Sequence, residues 1–162
     1  MAKRFVLACA VAFCTFAPGC ATARQPATST TTASPSTSVT PQEDARRIMG
    51  DFGIVLPTDA TQVQVIKPAL GDYRAKAVIS FLAPREEVMT QTCQNVQYKH
   101  FDYPPIMADG LVDEVLSQAS ISINRLDFRS CDQYQGGRKI LVLIPLAENR
   151  PTYVVLYHAP YR

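Results

Sequence analysis

Hydrophobic residues recur at helical spacing in three stretches of the chain, and each stretch opens with a residue that favours a helix start. Thr40-Pro41-Gln42-Glu43 combines a capping threonine, a proline at the first helical position and a glutamate that completes a capping box. The helix that follows should end near Asp51 and pack its apolar side on a core. Two more helices are predicted, after Pro84 and after Asp109, and the first of them should turn Cys93 inward.

Alternating or continuous apolar residues predict five strands, at residues 61–66, 73–82, 121–129, 140–144 and 153–157. The first two flank a segment of turn composition, so they should form an antiparallel hairpin. In the third, the alternation changes phase, which indicates a β-bulge near Asn124. The fourth is continuously apolar, as expected of a central strand, and Gly136-Gly137 should form a turn before it.

Residues 97–106 fit neither pattern, and they are predicted to form a loop ahead of the third helix. The chain therefore has about five strands, mostly joined by hairpins, and about three helices. We expect an α+β fold, in which an antiparallel sheet carries its helices on one face.

The start of the chain has the pattern of a secretory signal. Lys3-Arg4 precede an uncharged apolar run over residues 5–16, which is shorter than the roughly 20 residues of a membrane-spanning helix. Gly19-Cys20 after this run resembles a bacterial lipobox, in which the cysteine is acylated and becomes the new N-terminus. The alternative is ordinary signal-peptidase cleavage after Ala21-Thr22-Ala23, which would release a soluble, secreted protein starting at Arg24.

Composition divides the rest of the chain into a tether and one domain. Residues 20–40 are rich in Ser, Thr and Pro and nearly uncharged, so they are expected to form a disordered tether after a signal at residues 1–19. Residues 41–162 are enough for a single α+β domain. Lys3-Arg4 supply two of the 16 basic residues, so the remainder balances the 14 acidic ones, and neither nucleic acid nor electrostatic binding to a membrane is indicated.

Two of the five cysteines remain beyond the signal and Cys20. Cys93 and Cys131 are predicted to form a disulfide, because an exported protein folds in an oxidising compartment. Their spacing matches no metal or redox motif, so we expect no metal and no cofactor.

The candidate chemistry is sparse, since His100 and His158 lie in no catalytic motif. His100 and Asp102 could be half of an acid–base site, although a loop histidine between aromatic residues is more often a packing residue. Glu86 and Glu87 are expected only to interact with the dipole of the helix after Pro84.

One loop stands out for its aromatic density, and such loops on a rigid scaffold are common binding elements. Its candidate binding residues are Tyr98, His100, Phe101, Asp102 and Tyr103. The alternative is that Phe101 and Tyr103 close the edge of the core.

A weak lipobox, a Ser/Thr/Pro tail and one small α+β domain together resemble the uncharacterised envelope lipoproteins of bacteria, of actinobacterial type. The resemblance implies anchoring to a bacterial membrane by lipid and implies no activity. We expect an extracytoplasmic binding or interaction module whose partners are the lipid bilayer and an unknown envelope protein or ligand. The alternative is a small envelope hydrolase using His100 and Asp102.

Overall fold

The computed structural model describes residues 39–68, 75–106 and 110–158. Its strands are β1 (Thr61–Ile66), β2 (Ala75–Leu82), β3 (Tyr98–His100), β4 (Phe128–Gln135), β5 (Arg138–Pro145) and β6 (Thr152–His158). They form one sheet in the order β1-β2-β6-β5-β4-β3, and every neighbouring pair is antiparallel. The predicted antiparallel α+β class is confirmed, with six strands among these residues instead of about five.

The helix α1 (Pro41–Asp51) begins and ends as its sequence predicts. The Thr40 hydroxyl accepts a hydrogen bond from the Glu43 amide, and the Glu43 carboxylate accepts one from the Thr40 amide, which completes the capping box. Beyond the helix, Gly53 takes a positive φ of 76°, a conformation that glycine adopts without strain.

The other two helices are short. After Pro84, α2 (Arg85–Glu87) continues directly into a π-helical turn, Val88–Thr92. The third helix, α3, is Gly110–Gln118, and the cap predicted at Asp109 lies outside the described residues.

Helices cover both faces of the sheet, so the expectation that they share one face was wrong. The first face, here the α1 face, packs against α1 and the π-helical turn that follows α2, and it includes Ile79, Val142 and Val154. The opposite face, the α3 face, packs against α3 and includes Leu143 and Val155. The continuous apolar runs of β5 and β6 are the reason, since successive side chains point to opposite faces and both must be buried.

The prediction of a loop at residues 97–106 was also wrong in part. Tyr98–His100 forms β3, which pairs with β4 at the edge of the sheet. Three residues of polar and aromatic character carry too little period-two signal to be recognised as a strand alone. These residues become a strand because they pair with β4, whose partner residues lie at least thirty positions later.

The prediction of a strand at residues 121–129 was wrong for most of that range. Residues 121–124 are irregular, Arg125–Asp127 forms a 3₁₀ turn, and the strand begins only at Phe128. The Asn124 side chain accepts a hydrogen bond from the Leu126 amide at 3.3 Å, and this local bond competes with strand pairing. The change of phase therefore marks a turn between α3 and β4, not a bulge within a strand.

A disulfide joins Cys93, just after the π-helical turn, to Cys131 in β4. Both cysteines are fully buried, and their Cα atoms lie 5.9 Å apart. The bond ties the helical segment to the α1 face of the sheet, next to the edge formed by β3.

Candidate functional site

At the edge of the sheet, β3 and β4 bring together polar and aromatic side chains. Several of them belong to the aromatic loop that was predicted as a binding element. Tyr98 lies opposite Asp132, and His100 lies opposite Ser130, in the antiparallel register. Residues at even positions of these two strands share one face, so Tyr98, His100 and Asp132 all lie on the α3 face.

Both ring nitrogens of His100 have hydrogen-bond partners. The Nε2 atom lies 3.1 Å from Oδ1 of Asp132, and the Nδ1 atom lies 2.8 Å from the hydroxyl oxygen of Tyr103. A carboxylate can only accept, so in the neutral ring Nε2 carries the proton and donates a hydrogen bond to Asp132. Nδ1 is then the acceptor, and the Tyr103 hydroxyl donates to it.

Asp132 is held from its other side by a lysine of the neighbouring strand. Lys139 Nζ lies 2.7 Å from Oδ2 of Asp132, and the two side chains are only 14% and 22% exposed. A continuous chain of hydrogen bonds therefore runs Tyr103–His100–Asp132–Lys139, which we call the polar chain. Because each member restrains the next, the His100 ring has a defined position and orientation.

The rings around His100 form an exposed aromatic surface. The Tyr98 and His100 rings are nearly parallel at a centroid distance of 6.5 Å, and the His100 and Tyr103 rings are tilted at 5.2 Å. Tyr98 and Tyr103 remain 51% and 47% exposed. We call Tyr98, His100 and Tyr103 the aromatic surface. The polar chain holds His100 and Tyr103, Tyr98 is stacked on His100, and the two tyrosines are accessible to a partner.

Two of the five predicted binding residues do not belong to this surface. Phe101 is partly buried and packs against the core cluster of the α1 face. Asp102 is exposed, and its carboxylate makes no hydrogen bond or ion pair with any residue that the structure describes. No hydrogen bond joins His100 to Asp102 in the structure, and the carboxylate hydrogen-bonded to His100 belongs to Asp132.

Asp132 could not have been chosen from the sequence, because it lies 32 positions from His100. The one available signal was its position directly after Cys131, which is predicted to form a disulfide with Cys93. That signal places β4 near the helical segment but does not say which carboxylate meets the histidine.

The proximity of two carboxyl groups, those of Glu87 and Asp59, was also not predicted from the sequence. Glu87 does not act only on the helix dipole, because its pKa is raised above the ordinary range of a glutamate, first by loss of contact with water and then by the negative charge of Asp59. Its Oε2 atom is buried and has no hydrogen-bond partner among the described residues. Asp59 and Glu86 line a cavity of about 720 Å³ at the end of the sheet where β2 ends and β6 begins.

No group of three or more His, Cys, Asp or Glu side chains suited to a metal ion occurs in the part of the chain that the structure describes. Within the same residues, none of the helices is both long and apolar enough to cross a membrane. Cys20, the predicted acylation site, lies outside them.

Comparisons with protein-family models, with curated proteins and with solved structures found no significant match to this chain.

Proposed function

We propose that the protein is an extracytoplasmic binding module, anchored to a bacterial membrane through an acylated Cys20, and that a partner protein of the envelope docks on the aromatic surface. The observation that supports this proposal best is the fixed position of His100 between two half-exposed tyrosines. Exposed rings that are already held in place lose little conformational freedom when a partner binds.

The surroundings of the aromatic surface favour a partner that contacts its side chains over a partner that adds a strand to the sheet. Tyr134 is 55% exposed and follows Asp132 by two positions in β4, so it lies on the same face. β3 is an edge strand, but it has only three residues, which is short for a partner that adds a strand to the sheet. Tyrosine side chains, in contrast, are among the residues that most often dominate binding energy at interfaces.

The proposal is tested by crosslinking and capture of partners with the full-length chain in a bacterial envelope, followed by mass spectrometry. The variant Tyr98→Ala/Tyr103→Ala should lose the partner. A matched control, Leu126→Ala/Leu146→Ala, removes two other exposed apolar side chains and should keep it. Equal capture by both variants would place the docking surface elsewhere. The captured partner, once purified, should shift the NMR signals of the aromatic surface selectively.

A second candidate function, a small envelope hydrolase, is favoured by one observation. A hydroxyl, an imidazole and a carboxylate are hydrogen-bonded in series at Tyr103, His100 and Asp132, which is the order of groups in an acid–base relay. In such a relay, His100 would take the phenol proton on Nδ1 and Asp132 would stabilise the charged ring. This replaces the Asp102 of the sequence-based hypothesis by Asp132.

One substitution separates the two functions. Tyr103→Phe keeps the ring and removes the hydroxyl, so a binding module should retain most of its affinity for the captured partner. A hydrolase that uses this hydroxyl should lose its activity on an activated ester such as p-nitrophenyl acetate. Wild-type turnover that disappears in both Tyr103→Phe and His100→Gln would favour the hydrolase, and no turnover above the buffer rate would exclude it for this ester.

A further inference from the structure

A second cavity, of about 430 Å³, lies on the other side of the sheet from the aromatic surface. It is formed where α1 ends, beside the residue that follows β1, the first residue of β5 and the last residue of β6. The lining residues that matter here are Arg47, Asp51, Phe52, Lys67, Arg138 and His158.

The cavity has an aromatic floor. The Phe52 ring is 8% exposed, and the His158 ring lies beside it with a centroid distance of 5.2 Å. The Arg138 guanidinium carbon lies 6.0 Å from the centre of the Phe52 ring. Arg138 and His158 are directly paired across β5 and β6, so the sheet itself sets their spacing.

The described charges in and beside the cavity do not balance. Asp44 forms ion pairs with both Arg47 and Lys67. The Oδ2 atom of Asp51 lies 3.9 Å from the Nη1 atom of Arg47. Arg138 has no carboxylate partner among the described residues. Its Nη1 atom instead donates to the main-chain carbonyl of Asp51 at 3.1 Å.

Among the residues that the structure describes, three permanent cations therefore face two carboxylates in this part of the molecule, and the surplus positive charge is that of Arg138. A guanidinium offers five N–H donors in a planar fork that matches the oxygens of a phosphate. Within the described part of the chain, one of these donors is used, in the hydrogen bond to the main-chain carbonyl of Asp51. The remaining donors point to an anion with several acceptor oxygens.

We propose that this cavity binds a phosphate group, with Arg138 as its principal ligand and Lys67 and Arg47 as additional cations. The volume exceeds that of a phosphate and falls in the range of small-molecule sites of about 300–1,000 Å³. The molecule that carries the phosphate would lie against the Phe52 ring. A soluble phosphate ester and a lipid headgroup share this chemistry.

The test measures binding of inorganic phosphate to the full-length chain by isothermal titration calorimetry at low salt, where ionic contacts are screened least. We expect saturable binding that Arg138→Gln weakens about tenfold or more, as expected for loss of a charge-assisted contact. Arg138→Lys keeps the charge but loses the fork, so it should fall between the two. The control Arg125→Gln removes an arginine that pairs with Asp113 and does not line this cavity, so this variant should bind like the wild type.

A second arm identifies the source of the phosphate. Phosphatidylcholine vesicles with and without phosphatidic acid are compared, so that any contribution of a lipid anchor is the same in both. Extra binding to phosphatidic acid that depends on Arg138, without binding of free phosphate, supports a lipid headgroup; binding of free phosphate supports a soluble ester.

Absence of Arg138-dependent binding in both arms would overturn the proposal. Near-ultraviolet circular dichroism checks that each variant is folded, and Lys67→Gln, which should also weaken binding, replaces Arg138→Gln if that variant is not. The result is independent of the proposed docking function, because the aromatic surface lies on the opposite face of the sheet.

Discussion

His100 in the edge strand β3 is hydrogen-bonded to Asp132 in β4, with 3.1 Å between Nε2 and Oδ1. This bond links the exposed aromatic surface to the partly buried Lys139, and the relationship predicts a structural cost when the carboxylate is lost. Asp132→Ala should leave two partly buried polar groups without their partner, at a cost of about 1–3 kcal/mol, and lower the melting temperature by about 4–12 °C.

The control for that change is Asp113→Ala, which breaks an ion pair with Arg125 whose members are 55% and 44% exposed. Exposed pairs contribute about 0–1 kcal/mol, so this variant should melt close to the wild type. Calorimetry measures both, and NMR of the imidazole nitrogens should show loss of the Nε2-protonated tautomer of His100 only in Asp132→Ala. Equal melting temperatures for the two variants would contradict the structural importance of the polar chain.

The disulfide between Cys93 and Cys131 closes a loop with a sequence separation of 38 residues. In the chain-entropy account, a loop of this length contributes about 4 kcal/mol by restricting the unfolded chain. Cys93→Ala/Cys131→Ala should therefore lower the melting temperature by about 10–20 °C. Thiol labelling of the native exported protein should find neither cysteine reactive, and a titratable thiol at either position would disprove a stable bond.

Glu87 should make stability depend on pH. Its pKa is raised in the folded protein, by burial first and then by Asp59, so the folded state holds the proton more tightly than the unfolded state does. Stability is therefore lost as pH rises from the ordinary range of a glutamate through the raised pKa of Glu87. Glu87→Gln removes this loss and should be more stable than the wild type at neutral pH.

The difference between Glu87→Gln and the wild type should shrink as the pH falls below the ordinary glutamate range, because both side chains are then uncharged. Urea unfolding at a series of pH values measures it. Glu86→Gln changes an exposed neighbour and is the matched control. A constant difference across the whole pH range would show that Glu87 acts through packing and not through its charge.

The capping box at the start of α1 should make a measurable contribution to the free energy of unfolding. Thr40→Ala removes the hydroxyl that accepts from the Glu43 amide and should cost about 1 kcal/mol. The two hydrogen bonds from Thr40 also lower the pKa of the Glu43 carboxyl, so their contribution is lost as pH falls through that lowered pKa. Thermal unfolding near neutral pH should separate Thr40→Ala from the control Ser122→Ala, an exposed hydroxyl outside any helix, and equal melting would contradict a working cap.

Acylation of Cys20 is the prediction on which the proposed anchoring depends. Mass spectrometry of the mature protein should find an N-terminal cysteine that carries lipid, because Gly19-Cys20 follows a short apolar run. Cys20→Ser should then release the protein from the membrane fraction. An unmodified N-terminus at Arg24 would instead show ordinary signal-peptidase cleavage and a soluble product.

Local signals in the sequence were sufficient for the elements that depend on near neighbours. The capping box of α1, the antiparallel pairing of β1 with β2 and the turn at Gly136-Gly137 all follow from residues a few positions apart. The two glycines both have positive φ, as a tight hairpin between right-twisted strands requires. The inward side of Cys93 likewise follows from helical spacing.

The tertiary structure alone decided which distant elements meet. Periodicity states which side of a strand is apolar, but it does not state the strand order or what covers each face. β6 lies between β5 and β2, and helices cover both faces, because the two central strands bury side chains on both sides. The same long-range pairing makes β3 a strand and places Asp132, not the neighbouring Asp102, beside His100. A hydrogen-bond partner 32 residues away is chosen by the register of two strands, and a single sequence contains no local signal for that register.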